Sequence, residues 1–232
     1  MAIAPETNET FLREVDENLR RDQMQAAART YAKWVILAVV LLLAAAGGWL
    51  FWRDQQAKQA AVDSEALSAA IDNISTGNVA PVAAQLAPLE ESSADAIGVS
   101  ARLTGAAVAL QQNDRPKALA IYKAIAADSG VADPWRDLAT IRQTALEYDS
   151  LQPQAVIDRL APLARPANPW FGSAGEMTAL ALLKAGRKTE SARLFAAIAA
   201  DKSVPDTIRG RAVQIASTLG VDASAAFTAP AQ

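Results

Sequence analysis

The side chains with the types and spacing for acid–base chemistry are two acidic pairs, Glu90-Glu91 and Glu147 with Asp149. Two carboxyl groups held about 5–10 Å apart across a groove can hydrolyse a glycosidic bond, one as acid and the other as nucleophile or base. Both pairs fall at predicted helix ends beside turns, where charged side chains are normally solvated. We interpret them as surface residues, and a carboxylate-dependent hydrolase of the cell envelope stays as an alternative.

Composition restricts other chemistry. The 232 residues include no His and no Cys, which excludes Ser-His-Asp and Cys-His nucleophiles and metal sites built on those residues. The 11 glycines are scattered and form no phosphate-binding loop. Residues 53–232 carry 17 basic and 19 acidic residues without a basic cluster, which disfavours nucleic-acid binding. We predict a non-enzymatic protein with no cofactor, metal or nucleic acid.

The element that comes before all of these side chains is an uncharged apolar stretch, residues 34–52 (WVILAVVLLLAAAGGWLFW). A helix of this length rises roughly 28 Å, close to the thickness of a bilayer core. Trp34 at one edge, and Trp49, Phe51 and Trp52 at the other, would place aromatic rings near both headgroup levels. The stretch predicts a single transmembrane anchor.

Two other interpretations of this stretch are a buried core helix and a cleaved signal peptide. A soluble core helix is rarely apolar on every side over such a length. A signal peptide has a small-residue cleavage site after its apolar run, whereas this run is followed by Arg53-Asp54-Gln55-Gln56. An uncleaved anchor fits the sequence better than either alternative.

Basic residues flanking the stretch predict its orientation. Five lie on the N-terminal side (Arg13, Arg20, Arg21, Arg29, Lys33) and two follow closely on the C-terminal side (Arg53, Lys58). This bias favours a cytoplasmic N-terminus and a C-terminal domain in the opposite compartment, the periplasm of a Gram-negative bacterium. A chain without cysteine is compatible with an oxidising space.

The two ends of the chain are polar. Residues 1–33 are highly charged and carry a narrow helical stripe of apolar residues (Phe11, Leu12, Val15, Leu19). This segment is either a solvated helix leading into the membrane or a docking helix for a cytoplasmic partner. Residues 222–232 are small and polar with one proline, which predicts a disordered tail.

Residues 53–221 predict an all-helical domain. Strand-like alternation is missing, Ala dominates, and apolar residues recur three and four positions apart. Turn signals divide the segment into short helices. We predict them at residues 55–76, 79–90, 95–111, 116–128, 134–149, 153–164, 170–185, 188–200 and 205–219.

The segment also repeats with a period near 36 residues. Asp133-Pro134-Trp135 recurs as Asn168-Pro169-Trp170 after 35 residues, and the tetrapeptide LAPL at residue 86 recurs at residue 160. Predicted hairpin turns fall at similar intervals (Asn78, Asn113, Gln152, Gly186). Such a period predicts a solenoid of stacked helix hairpins.

The hairpin around Asn113 resembles a tetratricopeptide repeat. Ala106, Ala118 and Tyr122 occupy the positions where that pattern has small, small and aromatic residues, and Ala192 and Phe195 follow Gly186 in a similar arrangement. The resemblance implies that these five residues pack the two helices of a repeat together. It also implies that first helices line a concave surface, where Arg102, Arg136 and Arg142 could meet the carboxylates of a ligand. Trp135 and Trp170 open equivalent first helices and either pack one repeat on the next or line the groove.

The wider order resembles one particular family. A charged start reading FLREVDENLRRD from residue 11, one span and weak repeats are similar to the YfgM-like tetratricopeptide family, ancillary subunits of the SecYEG translocon. The resemblance implies a single-pass inner-membrane protein whose periplasmic repeats work with translocon subunits, periplasmic chaperones or client chains. An assembly factor or stable subunit of another inner-membrane complex is the alternative.

Overall fold

The computed structural model describes residues 6–92 and 94–223 of the chain. Over this part of the chain the backbone forms helices joined by turns, without a β-strand. The helices are α1 (Glu6–Ser75), α2 (Val82–Leu86), α3 (Asp95–Gln111), α4 (Arg115–Ala127), α5 (Asp133–Glu147), α6 (Pro153–Leu160), α7 (Phe171–Lys184), α8 (Lys188–Ala200) and α9 (Asp206–Thr218). A short 3₁₀ helix, Ala87–Leu89, follows α2. The predicted all-α class is confirmed.

The chain divides into two compact units, Met1–Gln59 and Ala60–Gln232. The first unit consists of α1 up to residue 59. The second contains the last turns of α1 and helices α2–α9. The predicted tail lies outside the described residues from residue 224 onward.

Helix α1 runs without a break through three segments that differ in polarity. The charged start, the apolar stretch and the helix expected at 55–76 are one continuous helix of 70 residues. No proline interrupts it, and the residues around Lys33 and Arg53 are good helix formers. The predicted boundaries rested on a change of polarity, which does not by itself end a helix. The side chains of the N-terminal apolar stripe lie outside the described part of the chain.

In the second unit, helices pack on their neighbours in the chain. Each core cluster combines residues of consecutive elements. Ala70 of α1, Leu86 of α2 and Val108 of α3 share one cluster, and a cluster around Tyr122 joins α3, α4 and α5. Further clusters around Leu160 and Phe195 join α5–α7 and α7–α9. This neighbour-to-neighbour packing is characteristic of helical repeats.

Two of the predicted hairpin turns have a left-handed residue two positions after the last residue of the first helix. Asn113 (φ 60°) follows α3 and Gly186 (φ 77°) follows α7. At both turns the next amide donates to a carbonyl five residues back, Asp114 to Ala109 and Arg187 to Leu182, each at 2.8–2.9 Å. These bonds satisfy carbonyls that the helix end would leave open. The turn residues therefore fix the hairpin geometry.

Two helices are shorter than predicted, and proline explains both. Helix α2 covers only Val82–Leu86 instead of 79–90, because Pro81 occupies its N-cap and Pro88 lies in the 3₁₀ turn. Helix α6 ends at Leu160 instead of 164. Pro162 has no N–H with which to continue the hydrogen-bond pattern of that helix.

Candidate protein-binding cleft

A cleft of about 760 Å³ opens in the second unit between the start of α3 and the turn joining α4 to α5. One group of lining residues comes from Glu90, Ser92 and the α3 segment 95–102. The other comes from the turn at residues 128–133 and from Trp135 in the first turn of α5. Neighbouring repeats thus contribute to one concave site.

The lining is acidic. Four carboxylates border the cleft, from Glu90, Asp95, Asp128 and Asp133, and the only basic side chain in the lining is Arg102. Asp95 and Asp133 are the first residues of α3 and α5, where a negative charge is favoured by the helix dipole. The positions that stabilise two helix starts therefore also gather negative charge in one cleft.

Arg102 has a partner inside the cleft. Its Nη1 lies 3.4 Å from Oδ2 of Asp128, and the other oxygen of that carboxylate accepts the N–H of Gly130 at 3.0 Å. The guanidinium side chain is 24% exposed. Its charge is therefore balanced by a residue of the same cleft.

Trp135 joins the cleft to the core. It is half-buried and packs on the cluster that contains Val99 and Val131, both of which also line the cleft. Its backbone N–H donates to the carbonyl of Ala132 at 3.0 Å, at the start of α5. The indole is thus held in place while part of it borders the cleft.

The other three predicted partner-binding residues do not line this cleft. Arg136 is half-buried and donates from Nη2 to Oδ1 of Asp133 at 2.7 Å. Arg142 is exposed on α5. Trp170 is half-buried against the cluster of α5–α7, and its backbone N–H donates to the Asn168 side chain at 2.8 Å.

The five residues expected to pack the repeats are all buried. Ala106, Ala118 and Tyr122 lie in one cluster at 0%, 0% and 5% exposure, and burial raises the pKa of the Tyr122 hydroxyl. Ala192 and Phe195 are 2% and 0% exposed on α8. Beside them, the Ser191 hydroxyl donates to the carbonyl of Ala179 at 2.7 Å and so joins α8 to α7.

The two acidic pairs found in the sequence have different surroundings. Glu90 borders the cleft, whereas Glu91 is exposed outside its lining. Asp149 is exposed. Glu147 accepts from three side chains: Lys123 at 2.6 Å, Arg159 at 2.7 Å and Gln143 at 3.0 Å. It therefore belongs to an ion network that joins α4, α5 and α6.

This network controls the acidity of Glu147. Burial by itself would raise the pKa of the carboxyl, but the hydrogen bonds from Lys123, Arg159 and Gln143 outweigh it and hold the pKa at about 2. The group stays ionised and both of its oxygens accept from side-chain donors, which suits a structural role. Sequence reasoning missed the network, since the partners of Glu147 are up to 24 positions away along the chain.

Among the residues whose side chains the structure describes, no group of three or more acidic side chains comes together in a way that could hold a metal ion. The carboxylates of the cleft are spread along its lining.

Sequence reasoning singled out Arg102, Trp135 and Glu90 but not Asp95, Asp128 or Asp133. A signal was present, since Asp95 begins one predicted helix, Asp133 directly precedes another, and Asp128 precedes the Ser129-Gly130 turn. The sequence does not predict that the two helix starts lie beside the same turn. That proximity is a property of the stacked repeats.

In the first unit, the predicted anchor residues are exposed on α1. Trp34, Trp49, Phe51 and Trp52 are 57–68% exposed, and Arg53 lies over the ring of Trp49 at 5.6 Å. An 18-residue window here has a mean hydropathy of 2.4 and is 0% buried. In the described part of the chain, one helix is thus long and apolar enough to cross a membrane, and a signal sequence would share this composition.

Comparison with known proteins gives one family match. The model of a family described as tetratricopeptide repeat-like domain matches residues 28–215. The match begins before the apolar stretch and extends into α9. No curated protein and no solved structure gives a significant match.

Proposed function

The chain belongs to the tetratricopeptide repeat-like domain family, and from this premise we propose that it is a membrane-anchored scaffold for protein–protein interaction. The observation that carries the proposal is that a single family match, residues 28–215, includes both the exposed apolar helix and the helix hairpins. Repeats of this kind present extended surfaces to partner chains. An apolar helix beside them would concentrate that surface near a membrane.

The composition of α1 supports an anchor. All residues from 31 to 59 are exposed, so the apolar stretch has no core of its own to occupy. In lipid a helix satisfies its own backbone hydrogen bonds, which makes a lone apolar segment stable there. Arg53 stacked on Trp49 suits the boundary between lipid and water, where aromatic rings and basic side chains are favoured.

The finer proposal is an accessory subunit of the SecYEG translocon. It is supported by the resemblance of the charged start and of the overall order to the YfgM-like family, and by the excess of basic residues before the span. The N-terminus would then be cytoplasmic, the span would lie in the bacterial inner membrane, and the repeats would meet chaperones or client chains in the periplasm.

Photo-crosslinking tests this assignment. A photoreactive amino acid is placed at Met24, Trp34 or Asp149 of the full-length chain, and crosslinked complexes are purified in mild detergent. We expect translocon subunits from the first two positions and periplasmic chaperones or client chains from Asp149, which is exposed. Consistent capture of a different membrane complex from all three positions would instead identify an assembly factor or subunit of that complex.

The hydrolase alternative fits the cleft less well. Asp128 and Asp133 already accept from Arg102 and Arg136, which leaves Glu90 and Asp95 as the carboxylates without a basic partner in the cleft. Both belong to the same group of lining residues rather than to facing groups. Turnover of envelope glycans by the purified chain, lost in Glu90→Gln, would contradict the scaffold proposal.

A further inference from the structure

We propose that the cleft between α3 and the α4–α5 turn binds a cationic segment of a partner chain, with a Lys or Arg side chain lying against Trp135. This inference rests on the proposed scaffold function and gives it a site and a partner chemistry. It concerns only the second unit.

The size of the cleft suits a short extended segment. Ligand sites in proteins commonly enclose about 300–1,000 Å³, and this cleft encloses about 760 Å³. That volume accommodates a few side chains of a peptide but not a folded domain. Its walls combine exposed carboxylates with the apolar surfaces of Val99, Val131 and Trp135, which matches a segment carrying both basic and apolar residues.

The charge of the lining favours a partner segment of positive charge. Of the four carboxylates in the lining, Asp128 is paired with Arg102 and Asp133 with Arg136, which leaves Glu90 and Asp95 without a basic partner in the cleft. A concave site with walls of one sign raises the local concentration of oppositely charged groups. An acidic segment would have to separate Arg102 from Asp128 and approach Glu90, Asp95 and Asp133. A basic segment meets Glu90 and Asp95 with no rearrangement.

The spread of the carboxylates favours a flexible cation over a metal ion. Within the described residues no three acidic groups converge as ligands, so the charges suit several separate basic groups along a chain. Trp135 adds an aromatic ring, whose face attracts an ammonium or guanidinium group.

The direct test measures binding of labelled peptides to the full-length chain in a non-ionic detergent. The probes are a fluorescein-labelled peptide of alternating Lys and Leu and its counterpart with Glu in place of Lys, compared by fluorescence anisotropy. We expect the Lys peptide to bind, with an affinity that falls as salt rises, and the Glu peptide to bind at least tenfold more weakly.

Three variants locate that binding. The double variant Glu90→Gln with Asp95→Asn is expected to weaken binding of the Lys peptide about three- to tenfold. Asp72→Asn with Asp149→Asn is the control, because it changes the net charge by the same amount at exposed positions outside the cleft. It should change the affinity less than twofold. Arg102→Gln removes the one cation and releases Asp128, so it is expected to tighten binding about two- to threefold.

The gain in Arg102→Gln is decisive, because a misfolded variant would not bind more tightly. Preferential binding of the Glu peptide, lost in Arg102→Gln, would overturn the proposal in favour of an acidic partner held by Arg102. Equal losses in the cleft and control double variants would overturn it in favour of non-specific attraction. The scaffold proposal stands or falls separately on the crosslinking experiment, which does not depend on the cleft variants.

Discussion

At the scale of single residues, Glu147 is a charged group held by three side-chain donors. Lys123 and Arg159 are separated by 36 positions, yet both donate to its carboxylate, which is only 14% exposed. A carboxylate at this level of burial is favourable when each oxygen has donors, and costly when they are removed. The residue therefore contributes to holding α4, α5 and α6 in register.

The pKa of Glu147 predicts a pH dependence of stability. The folded-state pKa of about 2 lies below the ordinary value of 4.5, so the ionised group stabilises the fold above about pH 4.5. That contribution is lost as pH falls through about 2. Glu147→Gln should lower the free energy of unfolding by roughly 2–3 kcal/mol at pH 7 and by much less near pH 2.

Chemical denaturation of the full-length chain between pH 7 and pH 2 measures this difference. Glu190→Gln is the control, since Glu190 also accepts from an arginine, Arg187 at 2.7 Å, but is exposed. It should produce a smaller change. A gap between wild type and Glu147→Gln that is constant with pH would contradict the network described here.

A second residue-scale prediction concerns the close approach of α7 to the α8–α9 connection. A Cβ added at Gly172 would lie 2.7 Å from Cγ1 of Val204, which is buried and stiff, so the backbone would have to shift. Gly172→Ala is expected to destabilise the chain by about 1–3 kcal/mol. Gly105→Ala on α3 meets only Oε1 of Glu90 at 3.8 Å and should be neutral or stabilising by up to about 1 kcal/mol. Thermal unfolding of the two variants compares them directly, and equal melting temperatures would show that α7 does not pack this closely.

At the scale of elements, the helices of the second unit were largely predictable because their ends depend on local residues. Asn113 and Gly186 mark helix ends by their left-handed backbone, and Asp114 caps α4 by accepting the N–H of Lys117 at 3.0 Å. The errors at α2 and α6 also have a local cause, the prolines inside the expected helices. Such features are read directly from neighbouring residues.

The cleft and the Glu147 network were less predictable for a physical reason. Arg102 and Asp128 are 26 positions apart, and only the packing of one hairpin on the next brings them together. Periodicity predicts that hairpins stack but not which turn lies beside which helix start. The charges at helix ends could be found from the sequence, whereas their shared cleft could not.

The apolar part of α1 gives a prediction for the element itself. Val40→Arg with Leu43→Arg places two charges in the middle of the stretch, each disfavoured in a bilayer by about 2.5–3.5 kcal/mol. We expect this variant to leave the membrane fraction after alkaline carbonate extraction. Val62→Arg with Ile71→Arg, at exposed positions of the same helix outside the stretch, should remain in it. Retention of both variants would argue against a membrane-spanning α1.

At the scale of the whole molecule, the account joins two properties of one chain. The family match supports an interaction surface made of helix hairpins, and the exposed apolar helix supports attachment to a membrane. Neither property requires catalysis. In the function that we propose, the role of the protein depends on which side of the membrane its repeats face.

Cysteine labelling tests that central claim most directly, because the chain contains no native cysteine. Single variants Met24→Cys and Asp149→Cys, both at exposed positions, are treated with a membrane-impermeant maleimide in intact spheroplasts and again after lysis. The account predicts that Asp149→Cys reacts in intact spheroplasts and that Met24→Cys reacts only after lysis. The reverse pattern, or a mature chain that begins beyond residue 52, would contradict it.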